Sequence, residues 1–304
     1  QIAYQKAMAD NLLTQSIYNQ RSAELNLMKA DAAYKKSIAN VVISAVRRFA
    51  EVDLAMMNLQ VKEHQLQLSQ KALALTQKKV SMQNASEYDL LQAEAALTRA
   101  QFDCERDQDS LEEKKQAFFL LINTEAMVPD GKLNYVPFEV DLAKVIPHVL
   151  ESSVDVREAE DSLELARLDL ERLLLEETAD LLVREARNRV ALAELRVEQT
   201  KNTIVQEVQS AFNTVKQAKQ SYESSCLSHE LEVRQYQITK GQVDAGLKTE
   251  DDLLKAQISL REAERSIYDA LTNYVIACLQ FDQLIGNDIR DSTVFLSVDV
   301  GEDG

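Results

Sequence analysis

The side chains able to do chemistry concentrate in two short stretches, "NASEYDLL" at 84–91 and "LKTEDDLLK" at 247–255. Each sets a hydroxyl residue three positions before an acid, Ser86 before Asp89 and Thr249 before Asp252. That spacing is a capping box: the hydroxyl accepts from a backbone N–H in the first helical turn, and the carboxylate reaches back to the hydroxyl residue's own N–H. Glu87, Glu250 and Asp251 join them in the first turn, where acids complement the helix dipole by about 0.3–1 kcal/mol each. The chemistry on offer is hydrogen bonding and charge pairing. Elsewhere there is no glycine-rich phosphate loop, nucleophile–base set or E-x-x-H pair, so no enzymatic activity is expected. Cys104, Cys226 and Cys278 lie far apart without a C-x-x-C, and read as small apolar residues. His64, His148 and His229 are equally scattered, and neither a metal nor a cofactor is expected.

The two stretches sit where long helices must turn. Gly246 can adopt the left-handed conformation that ends a helix, and Asn84 is the next-best residue type for that role in the first stretch. Stop and start signals together predict two helix–turn–helix tips, near 83–87 and 244–249. Glycine and proline are absent from 1–128 and 148–240 but crowd 129–147, as Pro129, Gly131, Pro137 and Pro147. The chain therefore divides into a first helical repeat at 1–128, a connector at 129–147 with room for a short strand, and a second helical repeat at 148–286. A tail follows at 287–304, with a strand expected at 293–298.

The repeats are copies. Sliding 41–123 onto 204–286 needs no gap at a shift of 163, and matches Phe49 with Phe212, Val52 with Val215, Asp89 with Asp252, Leu91 with Leu254, Phe118 with Phe281 and Ile122 with Ile285. From Ala186 to Tyr222 apolar residues recur at alternating steps of three and four, averaging 3.6, the period of an undistorted α-helix. A straight helix over about 180–245 would be roughly 100 Å long. One hairpin of such helices shares a single seam and leaves apolar positions wet, so further helices must pack beside it.

Composition agrees: 6% aromatic and 28% charged residues suit narrow seams between helices. The fold class is all-α, elongated antiparallel hairpins in two internal repeats with coiled-coil or α-barrel packing. A net charge of −16, with Lys and Arg dispersed among acids, argues against nucleic acid or an anionic membrane surface as partner. No run approaches the ~18 apolar residues of a membrane-spanning helix. No signal-peptide pattern is evident at "QIAYQKAMAD".

The block "VDAGLKTEDDLLKAQISLREAE" with the closing "FDQLIG" resembles the periplasmic hairpin signature of the TolC-like outer membrane efflux protein family, and the upstream copy fits that family's internal duplication. The resemblance covers most of residues 1–286. It implies a homotrimer whose hairpins join into a hollow helical barrel on the periplasmic side of the outer membrane. Such a barrel is a non-enzymatic conduit for efflux or type I secretion, docked at its tips by a periplasmic adaptor protein and served by an inner-membrane transporter. It also implies a polar latch at the entrance, to which Asp89, Asp252 and Lys248 would contribute beside Tyr88.

Three departures qualify the resemblance. Lys255 stands where the family often has a second tip acid, and Val243 replaces a tyrosine of the closing network. Where the family inserts pairs of membrane strands, 29–46 and 173–194 offer no alternating strand pair, and insertion into a membrane is not expected. The chain is then either a barrel-less relative or the helical portion of a longer chain. A coiled-coil scaffold or membrane-fusion-type adaptor without a pore is the alternative reading.

Overall fold

A computed structural model describes residues 2–123, 133–176 and 179–287, with side chains from residue 19 onward. Six helices are formed: α1 (Ile2–Ser81), α2 (Glu87–Ile122), α3 (Leu142–Ser152), α4 (Val154–Leu175), α5 (Asp180–Asp244) and α6 (Glu250–Leu284). No strand occurs among the described residues. The all-α expectation holds. The expected strand at 293–298 lies outside the described residues.

The connector is shorter than its prolines suggest. Residues 133–141 are irregular and form no strand, and α3 begins at Leu142 with Pro147 inside it. Proline removes one intrahelical hydrogen bond. Against that loss, Asp141 caps the helix by accepting from the Ala143 N–H at 3.0 Å, and Val149 is buried.

The chain divides into two compact units. The first comprises Gln1–Asn40, Pro137–Asn213 and Gln280–Ser292. In it α4 is tied by ion pairs to α1 on one side, through Arg21–Glu164 and Lys29–Glu158, and to α5 on the other, through Lys201–Glu160 and Arg167–Glu194. Leu173, Val183 and Ala186 form a small apolar cluster where α4 meets α5. Phe138, from the end of the connector, packs edge-on against Phe281 with centroids 5.1 Å apart, and Phe212 completes that cluster.

The second unit comprises Val41–Val136, Thr214–Leu279 and Thr293–Gly304. Its helical stretches pack side by side in the order α2, α1, α6, α5. The α1–α2 seam is filled by Val52, Ala55, Leu111 and Phe118. The α1–α6 seam holds Val61, Leu254 and Ile258, with Leu68 against them. It also carries two polar links: the Tyr268 hydroxyl donates to Asp53 at 2.5 Å, and Gln257 contacts His64 at 3.2 Å. Tyr222 and Tyr274 join α5 to α6, and connector residue Tyr135 stacks on both rings, each at 5.2 Å. The Tyr274 hydroxyl then donates to the Val136 carbonyl at 2.7 Å.

The sequence repeat is also a repeat of local geometry. Phe49 and Phe118 meet edge-on with centroids 6.3 Å apart at 61°, and their counterparts Phe212 and Phe281 meet at 6.4 Å and 62°. At the two positions where the family resemblance would place membrane strands, α1 runs unbroken through 29–46 and only residues 176–179 separate α4 from α5.

Candidate functional site: the hairpin tips and the edge helices

Both tips close by the same backbone device. In the first, Asn84 N–H donates to Lys79 C=O at 2.8 Å and Gln83 N–H to Val80 C=O at 2.9 Å. In the second, Leu247 N–H donates to Gln242 C=O at 2.8 Å and Gly246 N–H to Val243 C=O at 2.9 Å. This six-to-one plus five-to-two pattern is a Schellman motif, whose left-handed residue is the donor of the inner, five-to-two bond. That residue is Gly246 at φ 70° in the second tip and Gln83 at φ 61° in the first. Asn84 is therefore not the left-handed residue expected from its type. The shift of 163 maps Gln83 onto Gly246, and the backbone follows that register rather than side-chain preference. The same shift maps Asn123, at φ 52°, onto Gly286, at φ 79°.

Each tip helix starts with a complete capping box. The Asp89 carboxylate accepts from Ser86 N–H at 2.9 Å and from its hydroxyl at 2.8 Å, while the Asp89 N–H faces that hydroxyl oxygen at 3.2 Å. Asp252 and Thr249 repeat these contacts at 3.0, 2.7 and 3.2 Å. Hydrogen bonds from Ser86, backbone first, hold the Asp89 carboxyl below the usual range. Those from Thr249 do the same for Asp252, with smaller help from Lys255 and Lys248.

Other expected site residues are placed less tightly. Tyr88 is exposed, its hydroxyl accepting from Gln92 at 3.1 Å. Lys248 and Lys255 are exposed, and neither forms an ion pair among the described residues. Asp89 and Lys248 are thus not joined within the chain; Asp89 is engaged by its own cap. Among the described residues no group of three or more His, Cys, Asp or Glu is placed to hold a metal ion, and no helix is long and apolar enough to cross a membrane.

What sequence reasoning did not single out is the state of the edges. On α2, Leu91 and Phe102 are exposed on the side roughly opposite Leu111 and Phe118, which bury against α1. On α5, Leu227, Leu231 and Ile238 form an exposed stripe roughly opposite Tyr222, which faces α6. The two interior helices of this unit each bury apolar residues against a neighbour on two sides, and the two outer ones on one.

The sequence model of the family described as "Outer membrane efflux protein" matches residues 178–287. No curated protein matches the sequence. Among solved structures the chain is similar to CusC, described as undergoing conformational changes accompanying folding and transmembrane channel formation, at TM-score 0.62 and 15% identity over 87% of this chain and 81% of that one. It is similar to the outer membrane protein VceC of Vibrio cholerae at TM-score 0.57 and 14% identity, over 88% and 75%. The Campylobacter jejuni outer membrane channel CmeC gives TM-score 0.56 and 14% identity, over 91% and 69%. At such identities the likeness is one of fold, and it spans both repeats. The sequence match falls on the second repeat, to which the first is related by the 163-residue shift, and over residues 178–287 the chain is similar to the outer membrane efflux protein family.

Proposed function

We propose that this chain is the helical, non-enzymatic conduit of a tripartite efflux or type I secretion system in the cell envelope. Three copies close a ring, and the tips at 83–89 and 244–252 dock a periplasmic adaptor protein that hands over cargo from an inner-membrane transporter. The observation that carries the reading is the pair of apolar stripes left uncovered on α2 and α5. A side-by-side row of helices with an apolar stripe at each end is complete only when each end meets another row, and rows joined end to end close into a ring. Fully burying one leucine is worth about 1.5–3 kcal/mol, so a few such side chains per edge suffice for association. The family match and the channel folds of the similar structures support the same assembly.

In this reading the tips surround the entrance. Asp89, Asp252 and Lys248, with Tyr88 and Lys255 beside them, form a polar latch between hairpins of neighbouring copies. An exposed ion pair is worth about 0–1 kcal/mol, so the latch depends on its symmetry copies acting together. Sedimentation of the purified chain combined with imaging of its symmetry tests the proposal: a three-copy ring with a central channel supports it, and a monomer or dimeric rod refutes it.

A further inference from the structure

The duplication sets α1 a problem of choice. It lies between α2 and α6, two return helices related by the shift of 163, and takes α2 on one face and α6 on another. Apolar side chains distinguish the two helices poorly. Leu254, which fills the α1–α6 seam, has a second leucine, Leu91, as its counterpart on α2. A helix of the α2 kind, brought by another copy, would therefore suit the apolar part of the site that α6 occupies.

The polar residues of the seam do distinguish them. The Tyr268 hydroxyl donates to the half-buried Asp53, and the counterpart of Tyr268 on α2 is Glu105. A carboxylate there has no hydrogen to give, and it would bring a second negative charge to an acid whose ionisation burial already opposes. The second link works by hydrogen-bond polarity. His64 Nδ1 lies 2.7 Å from the Gln60 carbonyl, which can only accept, so Nδ1 carries the hydrogen. Nε2 is left to accept, and it faces the Gln257 side-chain amide nitrogen at 3.2 Å. The counterpart of Gln257 on α2 is Glu94, which would set acceptor against acceptor. Glu94 and Glu105 are both exposed on α2, where water solvates them. Neither link is repeated on the other long helix: α5 carries Lys216 and Leu227 in place of Asp53 and His64.

We propose that the Asp53–Tyr268 and His64–Gln257 links form a recognition code that admits α6 to this face of α1 and refuses a helix of the α2 kind. Each chain then pairs its first hairpin with its own second hairpin instead of with the first hairpin of another copy. A half-buried carboxylate is a weak source of stability, but charge and hydrogen-bond polarity discriminate where one leucine cannot be told from another. The rule concerns pairing within one chain and holds whether or not copies close a ring.

The test reads both pairings in the full chain by disulfide formation with copper phenanthroline, against the background set by the parent's own cysteines. Leu68 packs against the cluster that contains Leu254, so Leu68→Cys with Leu254→Cys reports α6 on α1 as a link within one chain. Leu68→Cys with Leu91→Cys reports α2 of another copy in that place, as a linked species of two copies. With the code intact, the first pair should link and the second should stay at background. The code is then transferred by Tyr268→Glu and Gln257→Glu on α6 with Glu105→Tyr and Glu94→Gln on α2. Transfer should lower the first linkage and raise the second, each about tenfold, because like charges brought together across a seam suppress the wrong partner. Unchanged linkage of both pairs would overturn the proposal. A second variant separates recognition from unfolding. Tyr268→Glu alone should lower the first linkage, and adding Asp53→Lys, which sets opposite charges face to face, should return it to within about twofold of its original level. Loss of the first linkage with no gain of the second and no rescue by Asp53→Lys would show acids merely disrupting the seam, and would overturn the code.

Discussion

At the scale of single residues, the tips carry an asymmetry that can be measured. Gly246 adopts its left-handed backbone at no steric cost, whereas Gln83 adopts the same conformation with a Cβ in the way, a cost of roughly 1–2 kcal/mol. Part of that is returned by the lower chain entropy of glutamine in the unfolded state. Gln83→Gly should therefore raise stability by about 0.5–1 kcal/mol, and Gly246→Gln should lower it, both read as shifts of the denaturant midpoint. The carboxylates of this molecule respond to pH in opposite directions. Asp89 and Asp252 are held below the usual carboxyl range, so their contribution is present above the ordinary carboxyl pKa and is lost as pH falls through the depressed folded values. Asp53 is the reverse case. Burial pushes its carboxyl up, more than the Tyr268 hydroxyl pulls it down, and burial together with the Asp53 charge pushes the Tyr268 phenol up. The half-buried acid favours the folded state only while protonated, and that advantage disappears as pH rises through its raised folded value. Asp53→Asn keeps an acceptor for Tyr268 and removes the charge. It should raise stability at neutral pH by up to about 1 kcal/mol, since partial exposure screens the charge, and should flatten the pH dependence just above the ordinary carboxyl range.

At the scale of elements, the connector and the tips carry separate predictions. Tyr135 stacks with Tyr222 and Tyr274, and this stack, with the Tyr274–Val136 hydrogen bond, helps fasten residues 133–136 to α5 and α6. Tyr135→Ala should cost about 3 kcal/mol, the lower end for loss of a packed aromatic ring, and should expose the connector to limited proteolysis. For the tips, Lys248→Glu should raise conductance or leak through the assembled conduit if the latch depends on opposite charges; unchanged conductance removes Lys248 from it. The sequence made some of these elements plain and concealed others for physical reasons. Both helix starts were legible because a capping box is a local motif, the long helix of the second repeat because a 3.6-residue step persisted from Ala186 to Tyr222, and the first repeat because it lacks glycine and proline and aligns with the second. The left-handed residue of the first tip was misread: Asn84 has the favoured side chain, but the repeat register, which pointed to Gln83, decides the backbone. α3 was hidden by Pro147, whose local cost is outweighed by the Asp141 cap and the burial of Val149. The aromatic anchors at Tyr135 and Phe138 were hidden because nothing in an irregular segment announces which distant rings it will meet.

At the scale of the whole molecule, periodicity announced that helices carry more than one apolar stripe, without saying which helix covers which. The structure answers for α1 and α6 and leaves α2 and α5 with exposed leucines. In the proposed assembly a duplicated hairpin solves its burial problem by repetition, each new hairpin covering the edge of the last until the row returns to its start. In the proposed ring, function would follow from that geometry, because a closed row of helices would enclose a passage with the capped, charged tips at its mouth. The measurement that tests this most directly is the mass and rotational symmetry of the purified chain, by sedimentation and particle imaging. A three-fold ring with an open centre is the predicted result, and a stable single copy or a solid two-copy rod would contradict it.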